Sequence, residues 1–180
     1  MITFSDARIP MGRDRRLRIA DWRLSAGECW VIIGEGGSGK SSLARAIADY
    51  PGVSGTAAFI SFDREKEIRA QIRRDDDSEW TGKPDEGREV EGFIGGEAGK
   101  KWLHGDLARH LSGRGVRHLS TGEFRQVLIA REAGQGASLA VLDEPFEGLD
   151  IQARPRLTAQ LKALYRSGVL VVLTVNRRED

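Results

Sequence analysis

Apolar positions along this chain change rhythm at definite places, and the changes predict a series of short elements. Glu28-Cys29-Trp30-Val31-Ile32-Ile33 is an apolar, β-branched run of strand length, and Leu139–Leu142 and Val169–Thr174 are two more. Further strands are predicted near Ile2–Ser5, Leu17–Leu24 and Thr56–Phe62. Residues Ser41–Ala48 carry apolar side chains at helical spacing, as do Glu123–Ala133 and Gln152–Arg166. Arg64–Arg74 reads as a charged helix that Asp75-Asp76-Asp77 ends. Strands alternating with helices predict an α/β fold with a mostly parallel sheet, covered by helices on both faces. Between Asp63 and His118 the pattern lapses into charge and glycine with few β-branched residues. An inserted lobe is expected there, with Thr81–Lys100 as an exposed, mobile loop.

Composition narrows the class. A chain of 180 residues can bury one real core. Lys and Arg number 28 against 27 Asp and Glu, so no overall charge points to nucleic acid or to an anionic membrane. The arginines at 13, 15, 16 and 18 read as a solvated face, and nucleic acid is not an expected partner. No apolar run approaches the ~20 residues of a membrane span. Asp6, Arg8, Arg13 and Asp14 interrupt any signal-peptide core, so a cytoplasmic chain is expected. Cys29 is the single cysteine; it can form no internal disulfide and reads as a small buried apolar residue. His104, His110 and His118 have no cysteine partners at zinc-ligand spacing.

The candidate chemistry begins at Gly34-Glu35-Gly36-Gly37-Ser38-Gly39-Lys40-Ser41, followed by Ser42. Gly34, Gly39, Lys40 and Ser41 meet the pattern G-x-x-x-x-G-K-[ST], between a predicted strand and a predicted helix. In that setting backbone N–H groups can wrap a β-phosphate, and the helix N-terminus adds partial positive charge. Lys40 supplies a point charge to the β- and γ-phosphates, and the Ser41 hydroxyl is placed to ligate Mg²⁺. A second glycine run, Gly95-Gly96-Glu97-Ala98-Gly99-Lys100-Lys101, is one residue short and has Lys101 where Ser or Thr is needed; it is rejected as a site.

Downstream, Leu139-Ala140-Val141-Leu142-Asp143-Glu144-Pro145 places two acids at the carboxyl end of an apolar strand. Asp143 can hold Mg²⁺ through water, and Glu144 can polarise an attacking water, worth about 10²–10⁴-fold as a general base. Ser120 with Glu123 three residues on is a capping box at a helix start. Taken with Leu119-Ser120-Thr121-Gly122-Glu123 and Glu147-Gly148-Leu149-Asp150, these stretches resemble the nucleotide-binding domain of the ATP-binding cassette (ABC) family over nearly the whole chain. They resemble its phosphate loop, signature sequence, acidic strand end and D-loop, in that order. The likeness is greatest to bacterial proteins with two cassettes in tandem, labelled molybdenum-transport or photorepair ATPases, and to their N-terminal cassette.

That resemblance implies a P-loop NTPase fold with antiparallel N-terminal strands and a helical subdomain inserted over 63–122. It implies ATP and Mg²⁺ as ligands, ATP hydrolysis, and a partner cassette met head to tail as a homodimer or tandem domain. Ser120 and Gly122 would then clasp the γ-phosphate bound by the partner, and Asp150 would lie across the same seam. Membrane transport subunits are further expected partners, with the chain at the inner face of the membrane. Three departures stand out. Asn176 occupies the place of a γ-phosphate-contacting histidine; Arg64 is the nearest match to a Mg²⁺-sensing glutamine; and Met11 or Gly12 aligns where an adenine-stacking aromatic is usual. Phe4 and Trp22 could stand in, although both read as core residues. Binding with slow hydrolysis is the expectation, and an ATP-dependent switch or scaffold is the alternative.

Overall fold

The computed structural model describes residues 1–10, 16–50, 55–74 and 88–176. Strands β1 (Ile2–Pro10) and β2 (Arg16–Leu24) form an antiparallel pair in which Phe4 faces Trp22. Strands β3 (Cys29–Gly34), β4 (Thr56–Ile60), β5 (Ala137–Asp143) and β6 (Leu170–Asn176) form a parallel sheet in the order β3-β6-β5-β4. Parallel neighbours need long crossovers, and helices supply them. Helix α1 (Lys40–Ala48) follows β3. Between β4 and β5 come α2 (Phe62–Arg74), three single turns α3 (Val90–Phe93), α4 (Glu97–Lys100) and α5 (Leu107–His110), and then α6 (Thr121–Gly134). Helix α7 (Ala153–Arg166) connects β5 to β6. The expected α/β fold, with its parallel sheet and antiparallel N-terminal strands, is present.

The two central strands explain their own sequence. Leu139, Val141, Leu170 and Val172 pack on one side of the sheet with α1 and the β1–β2 pair. Ala140, Leu142, Val171 and Leu173 pack on the other side with α6 and α7. Alternate residues enter alternate cores, so β5 and β6 read as unbroken apolar runs. Each fully buried Leu or Val there contributes about 1.5–3 kcal/mol of transfer free energy.

Several expectations are corrected. Strand β3 lies at the sheet edge, with Val31 and Ile33 50% and 65% exposed, so cover on both faces does not extend across the whole sheet. Cys29, on the same strand, is exposed rather than buried, and partial desolvation pushes its thiol pKa up, away from reactivity. Strand β4 stops at Ile60, and Phe62 opens α2. The cause is Ser61, whose Oγ accepts from the Arg64 N–H at 3.2 Å and whose carbonyl accepts from Glu65 at 2.9 Å. The Asp75–Asp77 stop and residues 81–87 lie outside the described residues.

The rest of the expected loop, 88–100, forms two single helical turns whose apolar residues enter the core. Val90, Phe93 and Ile94 are buried, and α4 packs its backbone against the end of α6. A Cβ placed on Gly134 would lie 2.8 Å from the Cα and N of Gly99. One on Gly99 would come 2.2 Å from the Ile94 carbonyl oxygen. Glycine in this segment permits close approach of backbones, which composition alone cannot distinguish from mobility. The rejected second glycine run therefore has a packing role. Gly134→Ala should lower stability by about 1–3 kcal/mol through overpacking, despite alanine's better helix propensity of roughly 1 kcal/mol. Urea unfolding measures the sign, and a stabilised variant would contradict this packing.

Candidate nucleotide-binding site

The loop between β3 and α1 closes on itself. Ser38 N–H donates to the Glu35 carbonyl at 3.2 Å, and a Cβ on Gly34 would stand 2.7 Å from Ser38 Oγ. Gly39 is the N-cap of α1 at φ 95°, a left-handed conformation that favours glycine. No acidic side chain occupies the first turn of α1, so its positive end is left for an anion. Gly36, Gly37, Ser38, Gly39, Lys40, Ser41 and Ser42 line a cleft of about 490 Å³, joined there by Arg16, Leu17, Glu144 and Asn176. Gly34 and Glu35 stand behind it, as the end of β3 and as a carbonyl acceptor.

Lys40 is 6% exposed. Its Nζ donates to the Glu35 carbonyl at 2.9 Å and to Asn176 Oδ1 at 2.7 Å, and it stands 3.8 Å from Glu144 Oε1. Since an ammonium only donates, Asn176 must turn its amide oxygen toward Lys40 and its NH₂ away.

Strand β6 brings the two acids and the loop together. Thr174 lies beside Asp143 on β5, and Asn176, two residues further along the same face, lies beside Gly34 on β3. Thr174 Oγ1 accepts the Glu144 N–H at 2.9 Å and donates its own proton to Asp143 Oδ1. Glu144 adopts φ 50°, a left-handed conformation that costs a non-glycine residue about 1–3 kcal/mol. A turn in which Glu147 N–H donates to the Glu144 carbonyl at 3.1 Å helps to hold it. Partial burial pushes the Glu144 carboxyl pKa up; the Glu147 carboxyl and the Asp143 charge add to this, and Lys40 opposes it.

Ser41 lines the cleft, and Asp143 ends the neighbouring strand with one carboxylate oxygen engaged by Thr174. A hydroxyl and a carboxylate are hard oxygen donors that fit a magnesium ion keeping several of its waters. Among the described residues no three or more His, Cys, Asp or Glu are placed together to hold a metal ion.

Ser120, Gly122 and Asp150 do not line the cleft. The Ser120 capping box is formed: its Oγ accepts from Glu123 N at 3.3 Å, and Glu123 Oε2 accepts from Ser120 N at 2.8 Å. Arg69 donates to the Leu119 and Ser120 carbonyls, both at 3.1 Å, and Arg114 to Glu123 Oε1 at 3.1 Å. Burial opposes ionisation of Glu123, but the Ser120 hydrogen bonds and the Arg114 charge hold its pKa below the ordinary value. A Cβ on Gly122 would meet Ala153 at 3.1 Å and Leu149 at 3.3 Å, and Asp150 Oδ1 accepts the Ala153 N–H at 2.7 Å. All three have local structural roles.

Phe4 is buried, stacked on Trp22 at 5.8 Å and packed by Tyr50 at 4.9 Å; it is a core residue as expected, whereas Trp22 is half-buried and packs against that core. Met11, Gly12, Arg13 and Arg15 lie outside the described residues. Arg64 is exposed and paired with Glu67 at 3.2 Å, and Arg18 is paired with Asp6 at 2.7 Å. Sequence reasoning missed Arg16 as a wall of the cleft, and it missed Thr174. The signal for Thr174 was present, as a hydroxyl in an otherwise apolar strand.

With this geometry in view, the comparisons are informative. The ABC transporter family profile matches residues 17–147. The chain is 32% identical to the ABC transporter ATP-binding protein ModF of Escherichia coli, over 92% of the chain and 37% of that protein. It is 29% identical to the zinc import ATP-binding protein ZnuC of Alcanivorax borkumensis, over 91% of the chain and 64% of that protein. It thus spans less than two thirds of either relative. A putative metal-chelate type ABC transporter, solved in an inward-facing conformation, superposes with a TM-score of 0.63 at 18% identity, covering 96% of the chain and 71% of its own; this similarity concerns the fold alone. Phosphate loop, acidic strand end and capped signature helix lie in the family's order on the family's fold, and the chain belongs to the ABC family of ATP-binding ATPase domains.

Proposed function

We propose that this chain binds Mg-ATP at the 34–42 loop and hydrolyses it slowly, as one half of a head-to-tail pair of cassettes. The observation that carries the reading is the buried Lys40 ammonium, held among the loop carbonyl, Asn176 and Glu144 at the floor of an open cleft. A phosphate oxygen is a stronger partner for that ammonium than a neutral carbonyl. The α1 N-terminus and the loop N–H groups complete the anion site. Ser41 and Asp143 would hold magnesium, which when bound neutralises phosphate charge.

Glu144 is the general base in this reading. Its raised pKa brings it nearer to working pH, where a base transfers protons most effectively. Asn176 replaces a group that could become cationic; its oxygen faces Lys40, and only a neutral NH₂ is left for the phosphate or the water. One missing donor to developing charge typically costs about 10²–10³ in rate, hence slow turnover. Ser120 Oγ accepts from the backbone and keeps its own proton to donate, as a clasp on a partner's γ-phosphate requires. Segment 63–122 serves as the subdomain that presents this clasp. A tandem second cassette or a second copy is the first partner. Transport subunits at the cytoplasmic face of the inner membrane are the next, in keeping with the import role that the zinc relative's name gives to that protein. No described helix is long and apolar enough to cross a membrane. Asn176 also favours a second reading, an ATP-dependent switch with negligible turnover, which steady-state phosphate release with a partner cassette separates from the first.

Lys40→Ala should weaken fluorescent-ATP binding at least about 30-fold, roughly 2 kcal/mol, with an unchanged circular dichroism spectrum; unchanged affinity contradicts the assignment. Glu144→Gln should retain ATP and shift the protein to a larger species in size-exclusion chromatography with Mg-ATP, a shift that Ser120→Arg in the same chain abolishes. Asn176→His should hydrolyse faster than wild type, and an equal or lower rate in a phosphate-release assay removes this account of the slow step. In wild type, kcat/KM should fall with decreasing pH along a limb placed above the ordinary glutamate value of about 4.3, because the base must be ionised and its pKa is raised.

A further inference from the structure

Helix α2 is rich in charge, yet its one fully buried residue is Glu65, at 3% exposure. Its partner is Arg125 of α6, also 3% exposed. Arg125 Nε and Nη2 donate to the two Glu65 carboxylate oxygens, the second at 3.1 Å, as a bidentate fork. The remaining nitrogen is engaged as well. Nη1 donates to the Pro145 carbonyl at 2.7 Å and to the Glu147 carbonyl at 2.9 Å. One guanidinium thus joins α2, the helix that Ser120 starts, and the turn immediately after Glu144.

That turn needs holding. Glu144 is a non-glycine residue at φ 50°, and its N–H is fixed to Thr174 and its carbonyl to the Glu147 N–H. Relaxation toward an ordinary backbone angle would swing the carbonyls of residues 145 and 147 off Arg125. It would break two charge-assisted hydrogen bonds, of which the one to the Pro145 carbonyl is buried. Lysine could keep the charge opposite Glu65, but it has no planar fork to span a carboxylate and two carbonyls.

We propose that Arg125 is a positioning residue for hydrolysis: clamped by Glu65, it holds the 145–147 turn and thereby keeps the Glu144 carboxylate in register with Lys40. The proposal rests on the reading of Glu144 as the base. It also links the clasp helix to the base, so strain on Ser120 has a path to Glu144 through the Arg125 side chain.

The experiment compares wild type, Arg125→Lys and Glu144→Gln of the full chain. In Arg125→Lys, amide hydrogen exchange at Glu144 and Glu147 should accelerate at least about tenfold, while amides of the core strands, such as Val141 and Val172, keep their protection. ATP affinity should stay within about twofold, and kcat should fall about 10–100-fold, as expected for a displaced catalytic group. If Arg125→Lys does not fold, Glu65→Met/Arg125→Met, which removes both buried charges together, should show the same loss of turn protection. Unaltered exchange at Glu144 and Glu147, or an unaltered kcat while Glu144→Gln is inactive, overturns the proposal. Full turnover in Glu144→Gln refutes the base assignment instead, and the exchange data still decide whether Arg125 holds the turn.

Discussion

A buried ammonium cannot stand alone, and the site is arranged around that constraint. Taking Lys40 out of water has to be offset by oxygen partners close at hand. Glu35 supplies a carbonyl from the loop, Asn176 an amide oxygen from the central strand, and Glu144 a carboxylate 3.8 Å away. Each comes from a different stretch of chain, so the charge can be satisfied only when β3, β5 and β6 are in register. Asn176 and Glu144 line the cleft that a phosphate would enter, and Glu35 holds Lys40 from behind it.

The legible parts of this protein were those where local chemistry and tertiary role coincide. The 34–41 loop is one, because Gly34 and Gly39 suit the turn, and Lys40 and Ser41 open the helix where the proposed ligand would lie. Strands β5 and β6 are another, since burial on both faces forces an apolar run. The capping box at Ser120 is set by residues three apart and forms as the spacing predicts. What was not legible depends on partners distant in sequence. Nothing near Gly95–Lys100 says that Gly99 meets Gly134, so buried glycine packing reads as a loop. Nothing in the Cys29–Ile33 run says that it lies at an edge. Glu65 looks like one more charge on a solvated helix until Arg125 is found beside it.

Several residues proposed to meet a partner's ligand already have structural roles. A Cβ on Gly122 would be tight against Ala153 and Leu149, and Asp150 accepts the first N–H of α7. These roles lie within one chain and would persist in a cassette that never met a partner. The contribution of such positions to a seam therefore cannot be judged from loss of function alone, since substitution at Gly122 also disturbs the packing of α6 on α7. Ser120 differs. Its structural duty uses the oxygen as acceptor, and the hydroxyl proton is surplus to it.

The acid pair shows how far the fold constrains its chemistry. Asp143 and Glu144 are adjacent, yet Thr174 treats them differently, donating its proton to the Asp143 carboxylate and accepting the Glu144 backbone N–H. Asp143 stays in extended strand, where its carboxylate accepts the Thr174 hydroxyl proton. Glu144 is turned into the left-handed region beside Glu147, where burial and a neighbouring acid destabilise its charge. A residue suited to hold a cation and a residue suited to take a proton thus arise from neighbouring positions, through one threonine and one strained backbone angle. The cost of that angle is local. The groups that hold it come from β6 and, through Arg125, from α6, so the strain persists only while both elements are docked.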